Sequence, residues 1–312
     1  MHKRIVNQMT LKFTLTPQGP LLIKSGREAG ADPTILDMNF VRIYHAGLGR
    51  ETVYLPGSSL KGTIRSYCER VARTVGVDCC NPFDSTFCGK KNEGEASATK
   101  RYRQSCTACR LFGNTTLASH FRISDAYPTP DTVEAANRIE QRDGVAIDRI
   151  SGAVAVGPFS LEVITQGTFE AALAVDNFQL WQVGLLAVAL RDLGQGRVPI
   201  GFGKSRGLGR VNVTRQELTV SYPGRFALAD GDLNFAQRLY GVAAFPFPGK
   251  EEYHFRPEEP MPLEGAPFQA TEQGDYGRVS LSFQGKEIEE LFRRAVPYWR
   301  DYTLDPAYRK EG

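Results

Sequence analysis

Residues 198–211 read V-P-I-G-F-G-K-S-R-G-L-G-R-V. Four glycines (Gly201, Gly203, Gly207 and Gly209) are interleaved with Lys204, Ser205, Arg206 and Arg210. Glycine lets a backbone approach a ligand closely and frees its N–H groups, while the cations attract phosphate. Gly203-Lys204-Ser205 imitates the end of a nucleotide-binding P-loop. That motif needs a glycine five positions earlier, where this chain has Val198. The order is also reversed, because a P-loop follows a strand and opens a helix, whereas this loop follows an apolar helical run and opens a strand. The nucleotide-binding reading fails.

Immediately upstream, Phe169, Ala171, Leu173 and Val175 alternate as a strand, and residues 178–193 form an apolar helix. The loop itself leads into a strand through Val211 and Val213. Near the amino end the same order occurs once before. Met9, Leu11, Phe13 and Leu15 alternate with Thr10, Lys12, Thr14 and Thr16, which makes a half-buried strand. A glycine-punctuated stretch over residues 19–51 follows, and L-P-G-S-S then sets a helix start. Leu60, Ile64, Tyr67, Cys68, Val71, Ala72 and Val75 repeat at helical spacing up to Gly76, with Lys61, Arg65, Arg70 and Arg73 outside. Phe121 and Ile123 begin the next strand.

Two β-α-β units separated by a polar, turn-rich excursion over residues 125–157 predict an α+β, ferredoxin-like (RRM-like) palm over residues 1–221. Residues 222–312 form a Pro-rich extension, with one strand at Val279, Leu281 and Phe283 and one helix over residues 287–295. The 312 residues carry a net charge of only +3, so any nucleic-acid surface must come from local clustering. No run approaches the roughly 18 apolar residues of a membrane span. The start M-H-K-R-I-V-N-Q-M-T lacks the apolar core of a secretory signal. A cytoplasmic protein with no membrane partner is expected.

Five of the six cysteines fall in residues 77–112, which read as an insertion. Cys106-x-x-Cys109 has the spacing that lets two thiolates hold one tetrahedral ion, with Cys88 and either Cys79 or Cys80 completing the set. Disulfides are disfavoured in the cytosol, and the segment is too poor in apolar residues to fold alone, so a structural Zn²⁺ is expected. Cys68, on the apolar helix face, reads as a small buried hydrophobe.

L-P-G-S-S-L-K-G-T-I-R (residues 55–65), R-D-G-V-A-I-D-R-I-S-G-A-V (residues 142–154) and G-F-G-K-S-R-G-L-G-R-V occur in the order of the signature blocks of the RAMP superfamily. The chain resembles most the backbone subunit of type III CRISPR effector complexes, in a III-D/III-E-like form carrying the cysteine insertion. The resemblance spans about residues 9–220. It implies a palm with a protruding thumb hairpin, here the excursion over residues 125–157, and stacked copies or homologues along a CRISPR RNA beside other effector subunits. Lys61, Arg65, Lys204 and Arg206 then contact guide phosphates with the loop around Gly201, Gly203, Ser205 and Gly207. Arg142 and Arg149 serve at the thumb. Such contacts are independent of sequence, as suits a protein that accepts any guide.

The resemblance also implies metal-dependent cleavage of the paired target RNA by an aspartate in the loop after the first strand. Asp37, in T-I-L-D-M-N-F-V-R, matches that position, and Asp32 beside Pro33 is the alternative. The family's proline soon after the aspartate is replaced here by Met38-Asn39. A carboxylate there helps hold Mg²⁺ or Mn²⁺, which stabilises charge at the cleaved phosphate and activates the 2′-hydroxyl. Both aspartates are also ordinary turn formers, which leaves an inactive structural subunit as the second reading. His45 beside Tyr44 supports a third, metal-free processing of CRISPR RNA. His120 is read as a core or strand-edge residue, or as an extra zinc ligand.

Overall fold

The computed structural model describes residues 4–25, 38–223, 233–235, 237–265, 273–275 and 278–309. Asp32 and Asp37 lie outside the described residues.

The first strand, β1 (Gln8–Pro17), buries Met9, Leu11, Phe13 and Leu15 as its alternation requires. A small hairpin of β2 (Arg42–His45) and β3 (Arg50–Val53) precedes α1 (Gly57–Thr74). Gly57 opens this helix because a Cβ there would stand 2.6 Å from the Ile123 carbonyl oxygen. Its N–H donates to Asp125 Oδ1 at 2.7 Å, which caps the end. Leu60, Ile64, Cys68 and Ala72 fill the buried face.

Three short helices follow, α2 (Cys88–Lys91), α3 (Ala98–Gln104) and α4 (Thr107–Phe112). Ala108, Leu111 and Phe112 belong to the main core, so the cysteine segment is anchored in the domain. Beyond it lie β4 (Phe121–Ile123), β5 (Tyr127–Pro128) and α5 (Val133–Ala136). Next come β6 (Glu140–Ile147) and β7 (Val154–Val163), paired with each other in a two-stranded ribbon. The return strand of this excursion therefore runs to Val163, past the expected residue 157. The second unit comprises β8 (Phe169–Asp176), α6 (Leu180–Gly194) and β9 (Val211–Pro223). The remainder holds β10 (Arg238–Leu239), β11 (Met261–Pro262), β12 (Gln273–Asp275), β13 (Arg278–Gln284) and α7 (Lys286–Leu304).

The main sheet runs β12-β13-β9-β1-β8-β4, with β5 also on β8, and its pairings are antiparallel. The molecule is thus a mixed α/β fold built on an antiparallel sheet. α6 and α7 pack on each other and on β9, while α1 lies against α6 and β4. The β1–β9 register slips between Lys12 and Phe13, so that Lys12 faces Glu217 and Phe13 faces Arg215. This bulge at Gln216 keeps Val211 and Arg215 on the same side as Leu218, Val220 and Tyr222.

The carboxyl-terminal stretch continues the same sheet and core. β13 pairs along β9 and buries Leu281 and Phe283. α7 extends to Leu304, well past residue 295, because Trp299 and Tyr302 bury beneath it, Tyr302 stacking on Trp181 at 4.1 Å. That burial outweighs the backbone hydrogen bond that Pro297 cannot make. Glu258 reaches the start of α6 and accepts from the Leu180 and Trp181 N–H groups at 2.8 and 2.9 Å. Burial raises its carboxyl to about 7 despite these donors. Among the described residues no helix is long and apolar enough to cross a membrane.

Candidate nucleic-acid interface and thiol cluster

The four glycines of residues 198–211 all have positive φ: 73° at Gly201, 68° at Gly203, 83° at Gly207 and 90° at Gly209. At two of them the reason is also steric. A Cβ on Gly201 would stand 2.2 Å from Leu22 O, and one on Gly209 would stand 2.0 Å from Ile200 O. The loop is sewn to the strand-one exit by Phe202 N–H to Leu22 O (2.8 Å) and Gly209 N–H to Pro20 O (2.9 Å). Between these anchors Lys204–Arg206 forms one turn of 3₁₀ helix, held by Arg206 N–H to Gly203 O at 2.8 Å. Lys204, Ser205, Arg206 and Gly207 are exposed.

No carboxylate pairs with Lys204, Arg206 or Arg210 among the described residues. Lys204 instead stands near Arg70 of α1, and its amine is pushed below its ordinary value by desolvation and then by that guanidinium. Two cations left close together without an acid make a site for an anion. Arg206 lies over Phe202 and over Phe159 of β7, at 5.7 and 5.6 Å from the ring centroids. The loop therefore joins α1 to the β6–β7 ribbon. Arg70 was legible as an outward helix residue, but nothing in the sequence pointed to Phe159 as the partner of Arg206.

The helix-start cations have different surroundings. Lys61 donates to Ser119 Oγ at 2.8 Å and to Phe121 O at 3.2 Å, and burial lowers its amine. Arg65 is turned into the protein, with Nε on Glu69 Oε1 (2.8 Å), Nη1 on Gly113 O (3.0 Å) and Nη2 against Cys109 Sγ (3.6 Å). Arg142 on β6 sits 3.6 Å from Glu140, and Arg149 is exposed in the turn of the ribbon.

Sγ atoms of Cys80, Cys88, Cys106 and Cys109 lie within 4.8 Å of one another. Cys80 is 3.7 Å from Cys109 and 3.6 Å from Cys106, while Cys106 N–H donates to Cys88 Sγ at 3.2 Å. A disulfide needs about 2.05 Å. A tetrahedral zinc with Zn–S near 2.3 Å sets its sulfurs about 3.8 Å apart. These thiols fit the second spacing, so the residues present suit a metal ion. Hydrogen bonds from Cys109, Cys79, Cys80 and Cys88 push the Cys106 thiol down. The Cys80 thiol is raised by Cys106, but donors from Cys109 and Cys88 outweigh this and bring it to about 7. Thiolate is the form that binds metal. Of the two neighbours left open by the sequence, Cys80 enters this group, and Cys79 is buried outside it.

His120 stays out of the cluster. It is buried, its Nδ1 lies 2.8 Å from Asp176 O, and its ring meets Tyr102 edge-on. His45 Nδ1 accepts from Leu48 N–H at 3.1 Å, capping a turn, and its ring packs on Tyr127 at 4.3 Å. Cys68 is fully buried on α1. Among the described residues, the four cysteines are the one group of three or more His, Cys, Asp or Glu able to hold a metal ion.

The sequence model of the family described as the RAMP superfamily matches residues 14–212. Among curated proteins there is no match.

Proposed function

The chain belongs to the RAMP superfamily, and from that premise we propose that it is a CRISPR RNA-binding backbone subunit of a type III interference complex, acting in the cytoplasm. β1, α1, β4, β8, α6 and β9 would form a ferredoxin-like palm, a reading supported by their order β9-β1-β8-β4 in the sheet. The β6–β7 ribbon is then the thumb, wedged into the guide–target duplex. The family is associated with CRISPR-related RNA binding.

The observation that carries this reading is the glycine loop, where Lys204 and Arg206 have no carboxylate partner among the described residues and stand beside Arg70 and the ribbon. Such a surface holds a phosphate backbone through charge alone and leaves the bases unread. Lys61, bonded to Ser119 and Phe121 O at the β4 side of α1, keeps a phosphate role in the proposal only through the family resemblance. Arg65, directed at Glu69, Gly113 and Cys109, supports the helix and the thiol cluster. Arg142 and Arg149 line the ribbon where it would meet the duplex. Cys80, Cys88, Cys106 and Cys109 hold a structural Zn²⁺ in this reading, which fixes the segment over residues 77–112. That insertion is the feature favouring the III-D/III-E-like form.

Target cleavage is assigned to Asp37, with Asp32 as the alternative. A divalent ion such as Mg²⁺ or Mn²⁺ bound there would stabilise charge at the cleaved phosphate. The described flanks support a position near the RNA path. Ser25 N–H donates to Asn39 O at 3.0 Å, and Met38 N–H donates to Ser160 O of β7 at 3.2 Å. Both ends of that loop are thus tied close to the ribbon. Metal-free processing by His45 is the weaker reading, since its Nδ1 already accepts from Leu48.

The test is target-RNA cleavage by the reconstituted complex with a matching guide, comparing wild type with Asp37→Ala, in Mg²⁺ and in EDTA. Regularly spaced products that vanish in the variant and in chelator establish the nuclease. Products surviving the substitution move the chemistry to Asp32 or another subunit. Guide and target bound without any product make the chain a scaffold.

A further inference from the structure

A cavity of 620 Å³ opens between α6, α7 and β9, away from the glycine loop. Ligand pockets run from roughly 300 to 1,000 Å³. Its floor is apolar, formed by Ala187, Val188, Phe292 and Val296, and charged groups line its rim.

Most of those charged groups are already engaged. Arg215 bonds Glu289, Arg293 bonds Glu290, and Arg191 bonds the neighbouring Asp192. Two donors are left. Arg215 Nε is buried and has no hydrogen-bond partner among the described residues. The bulge at Gln216 is what keeps this guanidinium on the helix-covered side of the sheet, opposite Phe13 and 5.3 Å from the Phe292 ring. A buried N–H without an acceptor costs about 1–3 kcal/mol, and such a group in a native fold calls for a ligand, water or ion. Lys286 is the second donor. It is exposed, has no partner among the described residues, and begins α7, where a cation opposes the helix dipole.

We propose that this cavity binds a small organic anion, its aromatic or aliphatic body on Val188, Phe292 and Val296 and its carboxylate, phosphate or sulfonate at Lys286, beside the Arg215 guanidinium that lines the same cavity. The site is separate from the RNA surface and does not depend on the RAMP reading.

The experiment titrates the full chain with two probes sharing one ring system, anionic 8-anilinonaphthalene-1-sulfonate and neutral N-phenyl-1-naphthylamine. Saturable binding of one sulfonate per chain is expected, about 10-fold tighter than the neutral probe. Lys286→Ala should weaken the sulfonate about 5- to 10-fold and leave the neutral probe unchanged, the effect of one charge at a wet rim. Val188→Trp, at a half-exposed position, should fill the cavity and abolish both. Near-UV circular dichroism and Tm show that each variant is folded, and Lys286→Ala alone decides the matter if Val188→Trp is not. Equal affinity for both probes, or a sulfonate affinity indifferent to Lys286→Ala, overturns the proposal. So does a Val188→Trp variant that alters only self-association in sedimentation, which would make the cavity a docking face.

Discussion

Around the thiol cluster, arginines donate to backbone carbonyls: Arg65 to Gly113, Arg73 to Cys80, Arg101 to Glu95 and Thr116, and Arg110 to Ser105 and Arg103. In the glycine loop, Lys204, Arg206 and Arg210 donate to no protein acceptor among the described residues. Both regions are short on regular structure and rich in cations. They differ in how their backbones are satisfied. The cysteine segment is broken into helices of four, seven and six residues, and each end leaves carbonyls that need a donor. The glycine loop closes its own polar groups through left-handed residues and bonds to Pro20 and Leu22, which leaves its side chains unused. A cation's function is thus decided by the carbonyls around it, and unsatisfied backbone turns arginine into scaffold.

The largest expected effect is on the thiol side. Cys106→Ser should abolish stoichiometric zinc, measured by mass spectrometry of the metal, and lower Tm by about 10 °C or more. Wild type that carries no zinc, with an unchanged Tm in the variant, would show that the cluster is four reduced thiols and nothing else.

Within the glycine loop, Gly209→Ala should destabilise by about 3 kcal/mol in urea, since its Cβ meets Ile200 O at 2.0 Å. Gly207→Ala meets no atom of the described residues within 4 Å and costs only what its φ of 83° demands, about 1 kcal/mol. Equal costs would mean that the loop is not anchored through Gly209.

The contrast between the regions is sharpest in removing charge. Arg65→Ala should cost about 2 kcal/mol of stability, because it strips charged hydrogen bonds from Glu69 and from a carbonyl. Lys204→Ala with Arg206→Ala should leave stability within about 0.5 kcal/mol. The same pair should weaken guide RNA binding and flatten its salt dependence, the slope falling by about 0.7 for each phosphate that is no longer neutralised. If Arg65→Ala flattened the salt slope and the loop pair did not, the division between scaffold and binding cations would be reversed.

Much of this was legible in the residues alone. The alternation of β1 and the apolar period of α1 are local patterns with a single way to bury their faces, and both elements fall where the pattern places them. The cluster of Cys80, Cys88, Cys106 and Cys109 was foreshadowed by a spacing that chemistry restricts. The inward turn of Arg65 was not visible, because Gly113 and Cys109 reach it from more than forty positions away. The bulge at Gln216 was hidden as well, since register depends on the facing strand.

By itself, then, the sequence determined those features whose cause is local: the strands and helices of the two β-α-β units, the left-handed glycines and the thiol spacing. Backbone sterics and hydrophobic period act over a few residues, so neighbours suffice to set them. Only the tertiary structure decided that Cys80 and not Cys79 joins the thiols, that β13 and α7 extend the main sheet and core, and that Lys204 stands beside Arg70. Those outcomes rest on contacts between distant segments, where a side chain's role depends on what the folded chain brings to it.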